Sequence, residues 1–340
     1  MEIGKLPSDL LDRLLAGAPI HDKRVLIGPA VGEDAAVIKM DGDRVLVVKT
    51  DPITFATDDI GWYSVHVNAN DIAATGAVPR WFLATLLVPE RMEQADVEEI
   101  FNQIGAACRS LDIALIGGHT EITYDLDRPL IVGSMLGEAR REEITPTSGA
   151  RVGDRIILTK GIAIEGTAVL AREASASLTA RGMSRESLQR ARNYLYDPGI
   201  SVLDEAFRAR ACAKVHSMHD PTEGGLMTGL QEIGRAAGVG MRVDLEQIPV
   251  LPETREVCEC LGLDPLGLLA SGALVLTLSP TQAPDVLDAL KESGIAAYDI
   301  GEIRPLEDGL VVVSRAGEEE MPTFSRDELA RYFAKSKTNN

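Results

Sequence analysis

Four short polar stretches in the first 125 residues carry side chains of the types that can bind magnesium and phosphate. They cover residues 32–36, 50–51, 68–71 and 117–121. Each follows an apolar run typical of a strand or lies on a predicted helix. Neighbouring carboxylates repel one another unless a cation lies between them, and magnesium prefers one or two carboxylates together with substrate phosphates. Asp, Asn and Gly also favour ordinary turns, but four such stretches in one half of the chain indicate a site for a magnesium-bound polyphosphate.

Length and composition predict a globular protein of two domains. With 340 residues the chain is long for a single hydrophobic core, and the polar segment at residues 142–154 suggests a boundary near residue 150. The predicted domains are residues 1–150 and 151–340. The net charge of -18 opposes the electrostatic attraction that drives nucleic-acid binding, and an aromatic content of 4% leaves few surfaces for base stacking. No nucleic-acid partner is therefore expected.

The chain lacks the sequence features of secretion and of membrane insertion. Its amino terminus has no basic start followed by an apolar core, and no stretch approaches about 18 uninterrupted apolar residues. The four cysteines have neither the spacing of a disulfide framework nor that of a zinc site. A cytoplasmic protein with no membrane partner is expected.

Predicted strands and helices position the polar stretches. Two apolar runs flank the turn at residues 41–43 and predict a hairpin, which places Asp51 just past the end of a strand. A helix is predicted over residues 58–75. Asn68 and Asp71 are three residues apart on this helix, so they share one face.

Glycines mark two further segments. Residues 117–121 are predicted to form a glycine-rich loop after another apolar run. In the second half of the chain strands and helices alternate, which favours a mixed α/β fold. Asp220 or Thr222 can cap a further predicted helix, which has Gly224 and Gly225 within its first turns. Because glycine in a first helical turn loses backbone entropy, this pair indicates that another group approaches the backbone closely.

Five motifs together resemble the ATP-binding superfamily of aminoimidazole ribonucleotide synthase, and among its members the hydrogenase maturation protein HypE most closely. They lie at residues 31–37, 49–51, 70–77, 146–154 and 220–226. The resemblance implies an α/β fold of two domains, with an amino-terminal sheet that pairs with the sheet of a second subunit in a homodimer. It also implies that ATP binds in the cleft between the domains and that an amide or another oxygen is activated by phosphorylation.

The resemblance and the residue types together imply a role for each candidate side chain. The implied magnesium ligands are Asp34, Asp51 and Asp71. The implied contacts to nucleotide or substrate are Glu33, Asn70, Gly117, Gly118, Thr120, Asp220, Gly224 and Gly225. The catalytic candidates are His119 and Glu121. The implied cofactors are ATP and Mg2+.

Three departures from HypE and its relatives leave the acceptor open. HypE carries its carbamoyl group on a carboxy-terminal cysteine, whereas the last cysteine here is Cys260. Ser271 stands where HypE usually has a glutamate, and His119 stands where related kinases commonly have an aspartate. The leading hypothesis is an ATP-dependent enzyme that activates an amide- or carboxylate-type oxygen of a small-molecule or protein-borne acceptor. The alternatives are a non-catalytic nucleotide-binding assembly partner and an enzyme similar to thiamine-monophosphate kinase.

Overall fold

The computed structural model describes residues 5–6 and 8–338, which divide into two compact units. The amino-terminal unit comprises residues 21–28 and 35–144, and the carboxy-terminal unit comprises the remaining described residues, including helix α1 (Ser8–Leu15). The predicted mixed α/β fold with two sheets in two domains is confirmed. The boundary near residue 150 stays a prediction. Among the described helices, none combines the length and the apolar character needed to cross a membrane.

The amino-terminal unit is built on one sheet, to which six strands of the described chain contribute. They are β1 (Val25–Ile27), β2 (Ala36–Lys39), β3 (Arg44–Ile53), β4 (Val78–Pro89), β5 (Ala114–Thr123) and β6 (Leu130–Arg140). Their order is β1-β2-β3-β6-β4-β5. Neighbours are antiparallel except for β4 and β5, which are parallel. Helix α2 (Ile60–Ala74) packs on β3, β4 and β6, and helix α3 (Gln94–Ser110) packs on α2.

Helix α2 is buried along nearly its whole length because it lies between the sheet and α3. Close packing is possible at Gly61, where a Cβ atom would lie 2.6 Å from the carbonyl oxygen of Ile100 in α3. The helix ends before Gly76, whose φ of 83° is typical of a glycine past a helix end. Asn70 and Asp71 are consequently buried on this helix. Since buried polar groups are costly without partners, these two residues need hydrogen bonds or a compensating charge.

The carboxy-terminal unit holds a second sheet, to which seven strands of the described chain contribute. They are β7 (Arg155–Thr159), β8 (Val215–His219), β9 (Gly240–Asp244), β10 (Val275–Leu278), β11 (Ala297–Arg304), β12 (Leu310–Ser314) and β13 (Gly317–Glu320). Their order is β13-β12-β9-β11-β7-β10-β8. The helices of this unit after α1 are α4 (Ile164–Glu173), α5 (Ser175–Ala180), α6 (Arg185–Asn193), α7 (Leu203–Cys212), α8 (Gly225–Ala237), α9 (Pro252–Leu261), α10 (Ala283–Glu292) and α11 (Glu328–Thr338). Helix α8 buries Leu230 and Ile233 in one apolar core with side chains of β7 and β9.

Two local predictions are wrong. Asp51 does not follow a strand but lies within β3, whose pairing with β6 continues to Ile53. Residues 117–121 do not form a loop but lie in the middle of β5. Gly118 is paired with Ala84 of β4, and a Cβ atom on Gly118 would lie 2.0 Å from the carbonyl oxygen of Ala84. The glycine there serves close strand packing rather than a turn.

Candidate functional site

Asp34 is a buried carboxylate of the carboxy-terminal unit, with two described partners in the same unit. It lies in the loop before β2 and is 7% exposed. The hydroxyl of Thr147 donates a hydrogen bond of 3.1 Å to Asp34 Oδ2. His219, the last residue of β8, forms an ion pair with the other oxygen, with 2.8 Å between Nδ1 and Oδ1. Asp34 is therefore held in one orientation at both oxygens.

His219 is itself held between two carboxylates. Its Nε2 lies 3.1 Å from Glu232 Oε2 on helix α8, and Lys5 Nζ lies 3.4 Å from the other oxygen of Glu232. Burial alone would lower the pKa of His219, but Asp34 and Glu232 raise it well above its ordinary value. Burial alone would raise the pKa of Glu232, but Lys5 and His219 lower it to about 2. The ring is therefore an imidazolium that lies between the two carboxylates and keeps that of Glu232 ionised.

Asp220 brings a second buried carboxylate close to Asp34. It is 1% exposed, and carboxylate oxygens of Asp34 and Asp220 lie within 4.8 Å of each other. Two ionised carboxylates at this separation repel each other unless a cation neutralises them. Hard oxygen ligands are those that magnesium prefers. The donor set thus fits a magnesium ion, and the geometry adds Asp220, predicted from the sequence to contact nucleotide, to the candidate metal ligands.

The loop around Asp34 is tied down within the same unit. The backbone N–H of Ser148 donates a hydrogen bond of 3.3 Å to Glu33 Oε1. Gly32, with a φ of 92°, packs against α8 so closely that a Cβ atom would lie 2.8 Å from the carbonyl oxygen of Glu232. Glu33 therefore has a structural partner, and its predicted contact with the nucleotide stays a prediction.

Gly224 immediately precedes helix α8 and Gly225 is its first residue, and atoms of the protein occupy the space beside both glycines. At Gly224, whose φ is 85°, a Cβ atom would lie 2.2 Å from Thr228 Oγ1. At Gly225 it would lie 2.4 Å from the carbonyl oxygen of Leu266. The predicted close approach thus exists, but the approaching group is protein. A contact between these glycines and a nucleotide stays a prediction.

The amino-terminal unit contains its own pair of candidate carboxylates. Lys49 Nζ lies 3.1 Å from Asp71 Oδ1 on α2 and 3.7 Å from Asp51 Oδ2 on β3. Asn68 fixes the strand beside them, because its Oδ1 accepts a 2.9 Å hydrogen bond from the N–H of Asp51. The structure thus brings Asp51 and Asp71 to one ammonium group, and their role as metal ligands stays a prediction. Asn70 lies next to Asp71 and is fully buried.

Lys49 and His219 are functional candidates to which the sequence patterns assigned no role. Lys49 is two residues before Asp51 in β3, so the alternation of side chains along a strand places both on one face. His219 directly precedes Asp220. Both signals are visible in the sequence, but the carboxylate partners come from distant segments that local patterns do not identify.

His119 and Glu121 lie on β5, apart from Asp51 of the same sheet. Their side chains form an exposed ion pair with 3.4 Å between Nε2 and Oε2. In the order of the sheet, β6 and β4 stand between β5 and the strand of Asp51. A cavity of about 420 Å³ beside α3 is lined by Gly117, Gly118, His119 and Thr120 together with apolar side chains of α3, β4 and β5. This segment of β5 can therefore contact a ligand with apolar and polar parts.

Family models match most of the chain. The model described as "AIR synthase related protein, N-terminal domain" matches residues 32–139. The model described as "AIR synthase related protein, C-terminal domain" matches residues 151–313.

Individual relatives agree with these matches. Carbamoyl dehydratase HypE from Rhizobium leguminosarum bv. viciae is 32% identical over 274 residues, which cover 78% of this chain and 75% of that protein. The crystal structure of a HypE-HypF complex gives a TM-score of 0.74 at 22% identity and covers 93% of this chain and 99% of the matched chain. The crystal structure of the hydrogenase maturation protein HypE in complex with ATP gives a TM-score of 0.68 at 23% identity, covering 97% and 98% of the two chains. At these identities the solved structures establish a shared fold.

Proposed function

We propose that this chain, which belongs to the family of AIR synthase-related proteins, binds magnesium and ATP and phosphorylates an acceptor. The acceptor group would be an amide- or carboxylate-type oxygen. The observation that carries the proposal is the close approach of the buried carboxylates of Asp34 and Asp220. A relative named carbamoyl dehydratase and a solved structure of the same fold in complex with ATP support it.

The chain's carboxylates have distinct parts in this proposal. Asp34, Asp51 and Asp71 would hold magnesium, with Asp220 as a further ligand. When bound, the metal offsets the charge that develops on the phosphate oxygens during transfer. His219 orients Asp34, since it pairs with one oxygen of that carboxylate at 2.8 Å.

The remaining predicted residues would contact nucleotide or acceptor. Glu33, Asn70, Gly224 and Gly225 are proposed to lie along the nucleotide. His119 and Glu121 are proposed to contact the acceptor, together with Gly117, Gly118 and Thr120. This assignment draws support from the cavity of about 420 Å³ beside β5, which presents backbone and an imidazole next to apolar side chains. An acceptor that fits this cavity would combine an apolar portion with the oxygen that is phosphorylated.

A homodimer formed through the amino-terminal sheet is part of the proposal. Strand β5 is at one edge of that sheet, and its residues are exposed almost throughout. Ile122 is 71% exposed and Ile116 is 54% exposed. An exposed apolar edge strand offers unpaired backbone groups to another strand. A second copy of the chain is the proposed partner.

One observation favours a second function, that of a nucleotide-binding assembly partner without catalysis. Ser271 is fully buried. A buried hydroxyl cannot supply the carboxylate that HypE usually has at this position. A HypE-HypF complex among the structures of this fold shows that a protein of this fold assembles with a protein partner.

Calorimetric titration of magnesium and ATP tests nucleotide binding. Asp34→Asn and Asp51→Asn should each weaken binding at least about tenfold, or about 1.4 kcal/mol. Asp154→Asn is the matched control, because Asp154 forms a comparable buried pair with His216 at 2.9 Å. It should leave the affinity unchanged. Equal affinities in all four proteins would contradict the assignment of the site.

Phosphate release separates the two functions. The wild-type protein is incubated with magnesium, ATP and a panel of amides, carboxylates and thiamine monophosphate. Release that depends on one acceptor class supports the enzyme and names the class. Tight ATP binding without release for any acceptor supports the assembly partner.

A further inference from the structure

We propose that Asp327 is a positioning residue for the nucleotide site: its carboxylate holds the backbone of Gly224 and thereby fixes the loop between Asp220 and helix α8. The functional part of this inference rests on the proposed function, which takes that loop to contact nucleotide and metal. Asp327 lies beyond residues 151–313, the segment that matches the carboxy-terminal family domain. Its role therefore follows from contacts within this chain.

The Asp327 carboxylate joins two segments that are far apart in sequence. It is 3% exposed and immediately precedes α11. Its Oδ2 accepts a 2.6 Å hydrogen bond from the N–H of Gly224, and its Oδ1 accepts a 2.7 Å hydrogen bond from the N–H of Leu329. One carboxylate thus caps the first turn of α11 and holds the residue before α8.

Gly224 has no side chain that could accept a hydrogen bond at this helix start, and the position has no room for a residue with a side chain. Its φ of 85° favours glycine, and a Cβ atom would lie 2.2 Å from Thr228 Oγ1. Residues at a helix start leave N–H groups without partners inside the helix, and a negative charge there is favoured by the helix dipole. Asp327 supplies the acceptor and the charge from another segment.

The loop before Gly224 has a second tether on the far side. The carbonyl oxygen of Thr222 accepts a 3.2 Å hydrogen bond from the N–H of Ala270. Asp220 is two residues before Thr222, and its carboxylate lies within 4.8 Å of Asp34. Because the loop is short, loss of the Gly224 tether would let the Asp220 carboxylate move relative to Asp34.

Charge at Asp327 depends on pH near neutrality. Burial raises the pKa of Asp327 to about 7, and nearby Glu223 also acts to raise it, against the backbone hydrogen bonds that lower it. The charged groups on the adjoining residues are Glu223, whose carboxylate accepts a hydrogen bond from the backbone N–H of Lys5, and the Glu328–Arg331 pair on α11. In the ionised carboxylate both oxygens accept a hydrogen bond from an N–H group. Protonation turns one of the two oxygens into a hydroxyl that donates. The tether to Gly224 is therefore strongest above about pH 7.

Stability has the opposite pH dependence, which distinguishes positioning from simple stabilisation. The folded pKa is higher than the ordinary 3.8. The contribution of Asp327 to stability is therefore fully present below about pH 3.8 and is lost as pH rises through about 7. If the loop must be tethered to bind, the affinity for magnesium and ATP instead falls as pH decreases through this range.

Two adjacent substitutions of the full chain test the inference. Asp327→Asn removes the charge that holds Gly224. Glu328→Gln is the matched control, because Glu328 is also buried at the start of α11 and accepts a 2.9 Å hydrogen bond from the N–H of Asp264 rather than from Gly224. Amide exchange of the peptide that contains Gly224 is measured without nucleotide, and magnesium–ATP affinity is measured between pH 6 and 8.

The expected result is faster exchange of the Gly224 peptide in Asp327→Asn alone. Relative to that variant, the wild-type affinity should fall about tenfold from pH 8 to pH 6, since about a tenth of Asp327 is ionised one unit below its pKa. Dividing the wild-type affinity by the affinity of Asp327→Asn at each pH cancels the pH dependence that comes from the titration of ATP itself. Unchanged exchange in Asp327→Asn, or equal effects of both substitutions, would overturn the inference. If the wild-type protein binds no ATP, the proposed function fails, while the exchange measurement still decides whether Asp327 holds the loop.

Discussion

Replacing His219 tests whether the buried imidazolium maintains the candidate metal site. In the folded chain its Nδ1 lies 2.8 Å from Asp34 and its Nε2 lies 3.1 Å from Glu232. His219→Gln keeps a polar side chain of similar reach but removes the positive charge. Asp34 and Glu232 would then lose the positive charge between them, and the ammonium group of Lys5 would still pair with Glu232 alone.

The expected loss of stability can be worked from the distance. At an effective dielectric constant of about 20, one unit charge pair at 2.8 Å contributes about 6 kcal/mol of attraction. Desolvation of both groups offsets part of this, and removal of one partner from a buried pair typically costs about 3–5 kcal/mol. We therefore expect His219→Gln to lower the free energy of unfolding by about 3–5 kcal/mol. His21→Gln, at an exposed histidine, should change it by less than about 0.5 kcal/mol.

A double-mutant cycle in urea isolates the pair. The free energies of unfolding are measured at pH 7 for wild type, His219→Gln, Asp34→Asn and the double variant. Since the neutral amide introduced by Asp34→Asn no longer needs a cation, the double variant should be more stable than the sum of the single losses predicts, by at least about 2 kcal/mol. Additivity within about 0.5 kcal/mol would refute the conclusion that the imidazolium compensates Asp34.

Two further predictions concern the amino-terminal unit. Lys49→Met leaves the Asp71 carboxylate without the ammonium group at 3.1 Å, so it should lower the free energy of unfolding by about 1–3 kcal/mol. Added magnesium should raise the melting temperature more in the variant than in wild type. An equal magnesium effect on both proteins in calorimetry would contradict a cation position shared by Lys49 and the metal. Ile122→Lys places a charge on the exposed edge strand β5 and should shift the protein from dimer to monomer in sedimentation velocity, whereas Leu14→Lys on exposed α1 should not. A wild-type monomer at micromolar concentration would contradict the proposed dimer.

Local sequence patterns predict the helices and strands because each pattern depends on which residues of one element are buried. The sequence predicts a helix over residues 58–75, and α2 occupies Ile60–Ala74, since the glycine after it marks its end. The sequence misplaces Asp51 because the apolar run that predicts the strand ends before Thr50. In the structure β2 pairs with β3 only as far as Val48, so Pro52 needs no donor on that side, and β6 alone carries the strand to Ile53.

The parts of the site that escape prediction depend on pairs distant in sequence. The two glycines of β5 predict a loop because glycine favours turns, whereas Gly118 is required by the backbone of Ala84 in the neighbouring strand. Thr147 reaches Asp34 across 113 positions, and Asp327 reaches Gly224 across 103. Residue types identify which side chains can perform chemistry. They do not identify the distant partners that set charge and orientation.

These partners bear on how a metal would bind. In each unit a protein cation already compensates a candidate ligand: His219 lies beside Asp34, and Lys49 lies beside Asp71. A magnesium ion that met the carboxylates alone would compete with these cations and lose hydration as well, so its affinity without nucleotide should be weak. Magnesium usually relies on phosphate oxygens in addition to one or two carboxylates. The arrangement therefore favours a metal that is bound together with ATP over one that resides permanently in the protein.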